Sequence, residues 1–196
     1  MYTYVKRIID VGLSLMLLIV LCPVFFIIAL VIHADSNGPV IFRQVRAGRG
    51  GRPFVIYKFR TMHKGTPRNV ATAHLTASAR YITGVGRFLR QTSLDELSQL
   101  FNVLKGDMSF VGPRPVIPNE RHLLALRRRY GADAVRPGIT GLAQIRGRDE
   151  LAPRLKALYD AEYAANLTFW LDAYIFISTV RCVVLREGVR EGADRQ

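Results

Sequence analysis

Val11–Ile32 reads VGLSLMLLIVLCPVFFIIALVI, 22 successive residues without a charged side chain. As one α-helix the run is long enough to cross a hydrocarbon core of about 30 Å. It exceeds the apolar core of a cleavable signal peptide, and His33-Ala34-Asp35 is a poor cleavage context. Pro23 stands in its middle, where it withdraws the hydrogen bond to the carbonyl of Ile19 and kinks the helix. Lys6 and Arg7 precede the run, and Arg43, Arg46, Arg49 and Arg52 follow it. Positive charge favours the cytoplasmic side, so both ends are drawn to one face. On these residues two forms stand open: a kinked span, and a re-entrant helix that enters and leaves through one leaflet. The re-entrant form leaves backbone groups near Pro23 that must find partners. The expected division is a membrane helix over 1–35 and a cytosolic domain over 36–196.

The whole chain of 196 residues, 49% hydrophobic and 22% charged, suits one packed domain with a membrane appendage and excludes a disordered basic tail. Lys and Arg number 28 against 15 Asp and Glu, a formal charge of +13 that calls for a polyanionic partner. Charge leaves nucleic acid, anionic lipid and phosphorylated substrates open, and the apolar N-terminus turns the expectation toward lipid and phosphate, with no nucleic acid. Cys22 and Cys182 lie far apart in apolar stretches, which excludes a disulfide framework and a C-x-x-C site. His33, His63, His74 and His122 lack zinc-binding spacing, so a metal here would be held by oxygen.

Working outward, two β-prone runs, Val40–Val45 and Phe54–Phe59, flank the glycine-rich turn Ala47–Arg52 and predict a hairpin whose arginines meet lipid headgroups. Residues 63–78 lack periodicity and read as a lid-like loop. Apolar Leu94, Leu97, Leu100, Phe101 and Leu104 predict a helix closed by Gly106. Its start, Ser93-Leu94-Asp95-Glu96, matches a capping box. Three prolines make Val111–Pro118 a rigid connector, and Asn119–Tyr130 reads as a short basic helix. Leu142–Ile145 reads as a strand and Leu151–Asn166 as a helix. Phe169–Leu185, interrupted by Asp172 and Arg181, reads within 167–186 as an interfacial or docked helix, with a buried core helix equally open. The fold class expected is α/β, mostly α with a small β-hairpin.

Asp95 and Glu96 have a purely local explanation: Ser93 caps, Glu96 closes the box and Asp95 complements the helix dipole. Their surroundings argue for chemistry. Lys58, Arg60, Arg87, Arg90 and Arg114 come from adjoining segments, and Arg114 is held between Pro113 and Pro115. A helix start ringed by cations suits phosphate. There one ionised carboxylate could attack phosphorus, and the other could hold Mg²⁺ against a diphosphate.

The run Ser93–Pro115, SLDELSQLFNVLKGDMSFVGPRP, closely resembles the signature of bacterial sugar transferases, the monotopic phosphoglycosyl transferases. Lys6-Arg7-x-x-Asp10, Lys58-Phe59-Arg60-Thr61-Met62 and Arg136-Pro137-Gly138-Ile139-Thr140-Gly141 fit the same family in order, and the similarity looks like its minimal catalytic core. The resemblance implies transfer of a phosphosugar from a UDP-sugar to a polyprenyl phosphate, usually undecaprenyl phosphate, with release of UMP. It implies Asp95 as the nucleophile of an aspartyl-phosphosugar intermediate and Glu96 as catalytic ligand of Mg²⁺. Lys58, Arg60, Arg90, Arg114 and Arg136 match substrate-binding positions for phosphate or uridine nucleotide. It also implies a re-entrant helix broken at Cys22-Pro23, on the cytoplasmic face of the bacterial inner membrane. Ser98 stands in place of the usual proline, Leu142 and Arg146 replace tryptophan and asparagine, and Cys22 replaces serine. A membrane-anchored basic adaptor without catalysis explains the charge and the anchor but not the grouping of Asp95, Glu96 and Arg114. Nothing in the sequence selects the sugar or an oligomeric state.

Overall fold

Helices α1 (Tyr2–Val20) and α2 (Cys22–Asp35) meet at Leu21 with a bend of 62° in the computed structural model, which describes residues 2–66, 78–147 and 151–184. Pro23 lies in the first turn of α2, where a missing N–H costs nothing. Among the described residues no single helix is long and apolar enough to cross a membrane, but the bent pair meets that test by length and composition. Its pattern is inverted relative to a water-soluble helix. Asp10 and Ser14 are buried, whereas Ile8, Met16, Ile19, Phe26 and Ile27 are exposed.

The polar side chains of α1 hold it to the rest of the chain. Asp10 accepts from the Phe110 N–H at 3.2 Å, and Arg7 donates to the carbonyls of Val103 and Leu104 at 2.6 and 3.0 Å. Lys6 Nζ lies 2.7 Å from Asp172 Oδ2. Each bond satisfies a polar group out of water, where leaving it unpaired is costly.

The expected hairpin forms from β1 (Ile41–Ala47) and β2 (Pro53–Phe59), antiparallel with Ile41 opposite Phe59 and Ala47 opposite Pro53. Helices α3 (Gly84–Gln91) and α4 (Leu100–Lys105) follow, and β3 (Ser109–Val111) runs into the proline-rich connector. α5 (Arg121–Arg129) is the expected basic helix. β4 (Gly138–Thr140) then pairs with β3 in parallel, Ser109 opposite Gly138 and Val111 opposite Thr140. The second strand therefore lies earlier than the Leu142–Ile145 of the sequence reading, and Leu142–Arg146 is instead helix α6. Backbone proximity explains the shift. A Cβ on Gly138 would lie 2.1 Å from the Gly112 nitrogen, so β4 must begin at a glycine to come this close to the chain after β3.

α7 (Pro153–Ala165) and α8 (Phe169–Val184) complete the described chain, and most of the lid-like loop expected over 63–78 lies outside the described residues. α8 is docked by one face. Ile175 is fully buried, Asp172 accepts from Tyr163 at 2.7 Å, and Thr179 meets Thr140 at 2.6 Å. Its other face leaves Trp170, Tyr174 and Ile177 exposed, so α8 is a docked helix with an uncovered apolar side rather than a core helix. The last two residues of the expected 167–186 segment lie outside the described residues. The main core gathers Ile56, Leu100, Val103, Met108 and Val111 with Leu142, Tyr163 and Ile175, and so ties β2, α4 and β3 to the last three helices.

Candidate active site

The site grows from the turn between α3 and α4. Ser93 has φ 57° and ψ 15°, the left-handed region, and is alone among described non-glycine residues in a positive φ. The capping box expected there does not form: Ser93 makes no side-chain cap bond, and Leu94–Gln99 is a 3-10 helix rather than α. Leu94, Leu97 and Leu100 recur every third residue, the period that eclipses side chains in a 3-10 helix, and all three face apolar clusters. With that stripe turned inward, Asp95 and Glu96 face the cations of β2 and the proline connector.

Lys58 Nζ lies 2.6 Å from Glu96 Oε1 and 3.9 Å from Asp95 Oδ2. Arg114 Nη2 lies 2.8 Å from the same Glu96 oxygen, and its own side chain is 46% exposed. One carboxylate oxygen thus gathers two cations at the solvent boundary. Arg90 acts on Asp95 through its charge and is oriented by its Nε donating to Thr61 Oγ1 at 2.8 Å.

The two carboxylates differ electrostatically. Burial raises the Asp95 pKa, Glu96 adds to the rise, and Lys58, Arg90 and Arg114 oppose it without cancelling it. At Glu96 burial also raises, but Arg114 and Lys58 outweigh it and hold the carboxyl well below its usual range. Of the pair, Asp95 keeps its proton longer. The ionised form of Asp95 is thus favoured by Lys58, Arg90 and Arg114 and opposed by burial and by Glu96.

Lys58, Arg90, Arg114, Asp95 and Glu96 come together, but two expected site residues do not join them. Arg60 is buried and donates through Nη2 to Ser36 Oγ at 2.9 Å and to Ile32 O at 3.4 Å, which ties the end of β2 to the end of α2. Arg136 donates through Nε to Gly106 O at 2.9 Å, and burial together with Arg7 and Arg49 lowers its pKa. It sits at the far end of α4. Both guanidinium groups bond to carbonyl oxygens at the C-terminal end of a helix, where the helix dipole favours positive charge.

Two contributors escaped the sequence reading. Asn102 of α4, fully buried, donates to Val55 O at 2.7 Å and accepts from the Tyr57 N–H at 3.0 Å, so it continues the edge of β2 beside Lys58. Arg46, read as a headgroup arginine, turns inward: it donates to Pro115 O at 3.3 Å and to Gln44 Oε1 at 2.6 Å. Burial, with Arg114 second, lowers its pKa to about 10. An asparagine within a helical apolar pattern is the signal that could have marked the first; nothing local marks the second.

Among the described residues no three His, Cys, Asp or Glu side chains cluster to hold a metal unaided. The donor set nonetheless fits Mg²⁺, which binds through one or two carboxylates with phosphate oxygens and water completing its shell.

The profile of the bacterial sugar transferase family matches residues 1–186. The chain belongs to this family. It is 39% identical over 186 residues to the uncharacterized sugar transferase EpsL of Bacillus subtilis, covering 95% of this chain and 90% of that protein. It is 43% identical over 182 residues to a UDP-glucose:undecaprenyl-phosphate glucose-1-phosphate transferase of Klebsiella pneumoniae, covering 89% of this chain but 39% of that protein. An N-acetylgalactosaminephosphotransferase of Aeromonas hydrophila that uses UDP-N-acetylgalactosamine and undecaprenyl phosphate is 36% identical over 197 residues, 96% of this chain and 46% of that one. This sugar transferase thus spans less than half the length of several relatives with named substrates.

Proposed function

We propose that this sugar transferase moves a sugar phosphate from a UDP-sugar to a polyprenyl phosphate, undecaprenyl phosphate in its relatives' names, and releases UMP. The observation that carries the reading is the convergence of Lys58 and Arg114 on Glu96 beside the buried Asp95. An Asp95 carboxylate oxygen attacks the phosphorus that bears the sugar, and the bond from that phosphorus to UMP breaks with its electrons leaving on UMP. The lipid phosphate then attacks the same phosphorus and the aspartyl bond breaks, which returns the carboxylate. Lys58 and Arg114 meet the negative charge that spreads over the phosphoryl oxygens, and Arg90 lowers the cost of ionising Asp95. Glu96 would hold Mg²⁺, with Asp95 beside it, and the bound ion would supply charge neutralisation for the diphosphate.

A covalent intermediate suits substrates from different phases, since UMP leaves to water before the lipid reacts. The inverted pattern of α1 and α2, their bend and the outward apolar side of α8 support a re-entrant anchor at the cytoplasmic face of the bacterial inner membrane. Holding the domain there gives the lipid phosphate proximity to Asp95.

The test is UMP release across a panel of UDP-sugars with undecaprenyl phosphate and Mg²⁺. Asp95→Asn is expected to abolish release with folding and membrane association intact; turnover near the parental rate rules out the nucleophile. A tag placed before Lys6 should resist an impermeant reagent from the periplasmic side, and ready labelling restores a spanning helix.

A further inference from the structure

Arg114 is flanked by prolines that have no N–H to give, so the chain here is held through its carbonyl groups. Two arginines take adjacent ones. Arg127 Nη1 donates to Arg114 O at 2.9 Å, and Arg46 Nη1 donates to Pro115 O at 3.3 Å. Arg127, on α5, is 7% exposed and spends its other donors on Asp160 of α7, which is 1% exposed: Nε and Nη2 lie 2.8 and 2.7 Å from Asp160 Oδ2.

Stability does not account for this pair. Burying two opposite charges costs desolvation that their attraction barely offsets, and apolar side chains of similar volume serve as well or better. The neighbourhood would accept them, since Val116, Leu123 and Ala157 form a small apolar core between the same elements. An apolar pair lacks one thing: the third guanidinium N–H, aimed at the carbonyl of Arg114. Lysine lacks it too, because one ammonium does not reproduce the fixed fork that meets a carboxylate on one side and a carbonyl on another.

We propose that the Arg127–Asp160 pair is a positioning device for Arg114, fixing its backbone so that its guanidinium meets Glu96 and the phosphate of the sugar donor. Asp160 orients Arg127, Arg127 sets the Arg114 backbone, and Arg114 reaches Glu96 at 2.8 Å. Neither member of the pair touches substrate. The inference rests on the reading of Arg114 as a phosphate-binding residue.

The test replaces the pair by Arg127→Met with Asp160→Leu and measures UMP release at saturating UDP-sugar together with the thermal midpoint. The expected result is an unchanged or raised midpoint and a turnover lowered by up to about a hundredfold, the scale of a small misplacement of a catalytic group. The same double substitution added to Arg114→Ala should slow the enzyme no further. Asp160→Asn, which keeps the shape of the pair, serves if the double variant fails to fold; it should also slow the parent and leave the Arg114→Ala variant unaffected. Parental turnover in both pair variants, with Arg114→Ala slow, overturns the positioning role alone. Losses that multiply with Arg114→Ala overturn it as well, since the pair then acts by another route. If Arg114→Ala itself turns over at the parental rate, the reading of Arg114 fails and the inference with it.

Discussion

Lys58 lies 2.6 Å from Glu96 but 3.9 Å from Asp95, so it pairs directly with Glu96 and only distantly with Asp95. Arg114 and Lys58 together hold the Glu96 carboxyl well below its usual range, whereas burial, reinforced by Glu96, raises the Asp95 pKa. Asp95 is thus the less stabilised anion of the pair, the property that the proposed nucleophile would need.

The pH profile should record this. Asp95 must be ionised to attack, so single-turnover UMP release is expected to fall as pH drops through a value above the ordinary carboxylate range of about 3.9. Burial is the first cause of that rise and Lys58 the largest opposing one. Lys58→Met should therefore move the acid limb to higher pH. A limb that stays in place or moves down contradicts the electrostatic assignment.

Glu96 makes the opposite contribution to stability. Its folded pKa lies below its unfolded value, so its stabilisation is complete above about 4.3 and is lost as pH falls toward the folded value. Glu96→Gln is expected to cost about 1–3 kcal/mol at neutral pH. The gap between wild type and variant in urea midpoint should narrow with acidification; a constant gap argues against an ionic origin.

Gly86 bears on Arg90 through backbone. A Cβ there would lie 2.1 Å from the Thr61 carbonyl oxygen, and Thr61 orients Arg90. Gly86→Ala is expected to destabilise by roughly 1–3 kcal/mol and to slow UMP release, because backbone on both sides leaves no flexible atom to yield. Thermal unfolding and turnover of the purified variant measure the two effects.

Asn102→Leu removes both partners of the β2 edge, leaving Val55 O and the Tyr57 N–H unpaired in the interior. Each lost partner costs about 1–3 kcal/mol, so the variant should be among the least stable single substitutions in this chain. Hydrogen exchange at the Tyr57 amide should rise with it. Unchanged protection at that amide would show that Asn102 does not hold the strand.

Much of the architecture was legible because it is local. The hairpin follows from two β-prone runs around a glycine-rich turn, and the break near Pro23 from a missing donor. The start of the segment that carries Asp95 and Glu96 departs from its local pattern. The S-x-x-E spacing fits a capping box, yet Ser93 adopts φ 57° and the next six residues wind as a 3-10 helix. Leucines three apart satisfied both helical patterns, and packing against two separate clusters chose between them. Arg60 and Arg136 carry the same charge as Arg114, and only the folded chain sends them to helix ends and Arg114 to Glu96.

From the sequence alone came the family, the acidic pair at Asp95 and Glu96, the bent apolar N-terminus and the hairpin that carries Lys58. These are properties of residue type and short spacing, and no distant contact is needed to express them. The fold decided which arginines lie beside Asp95 and Glu96, which of the two carboxylates holds its proton longer, how Asp160 bonds to Arg127, and how Arg127 and Asn102 bond to neighbouring backbone. Those outcomes depend on burial and on distances between groups far apart in the chain, and neither quantity exists until the core has closed around them.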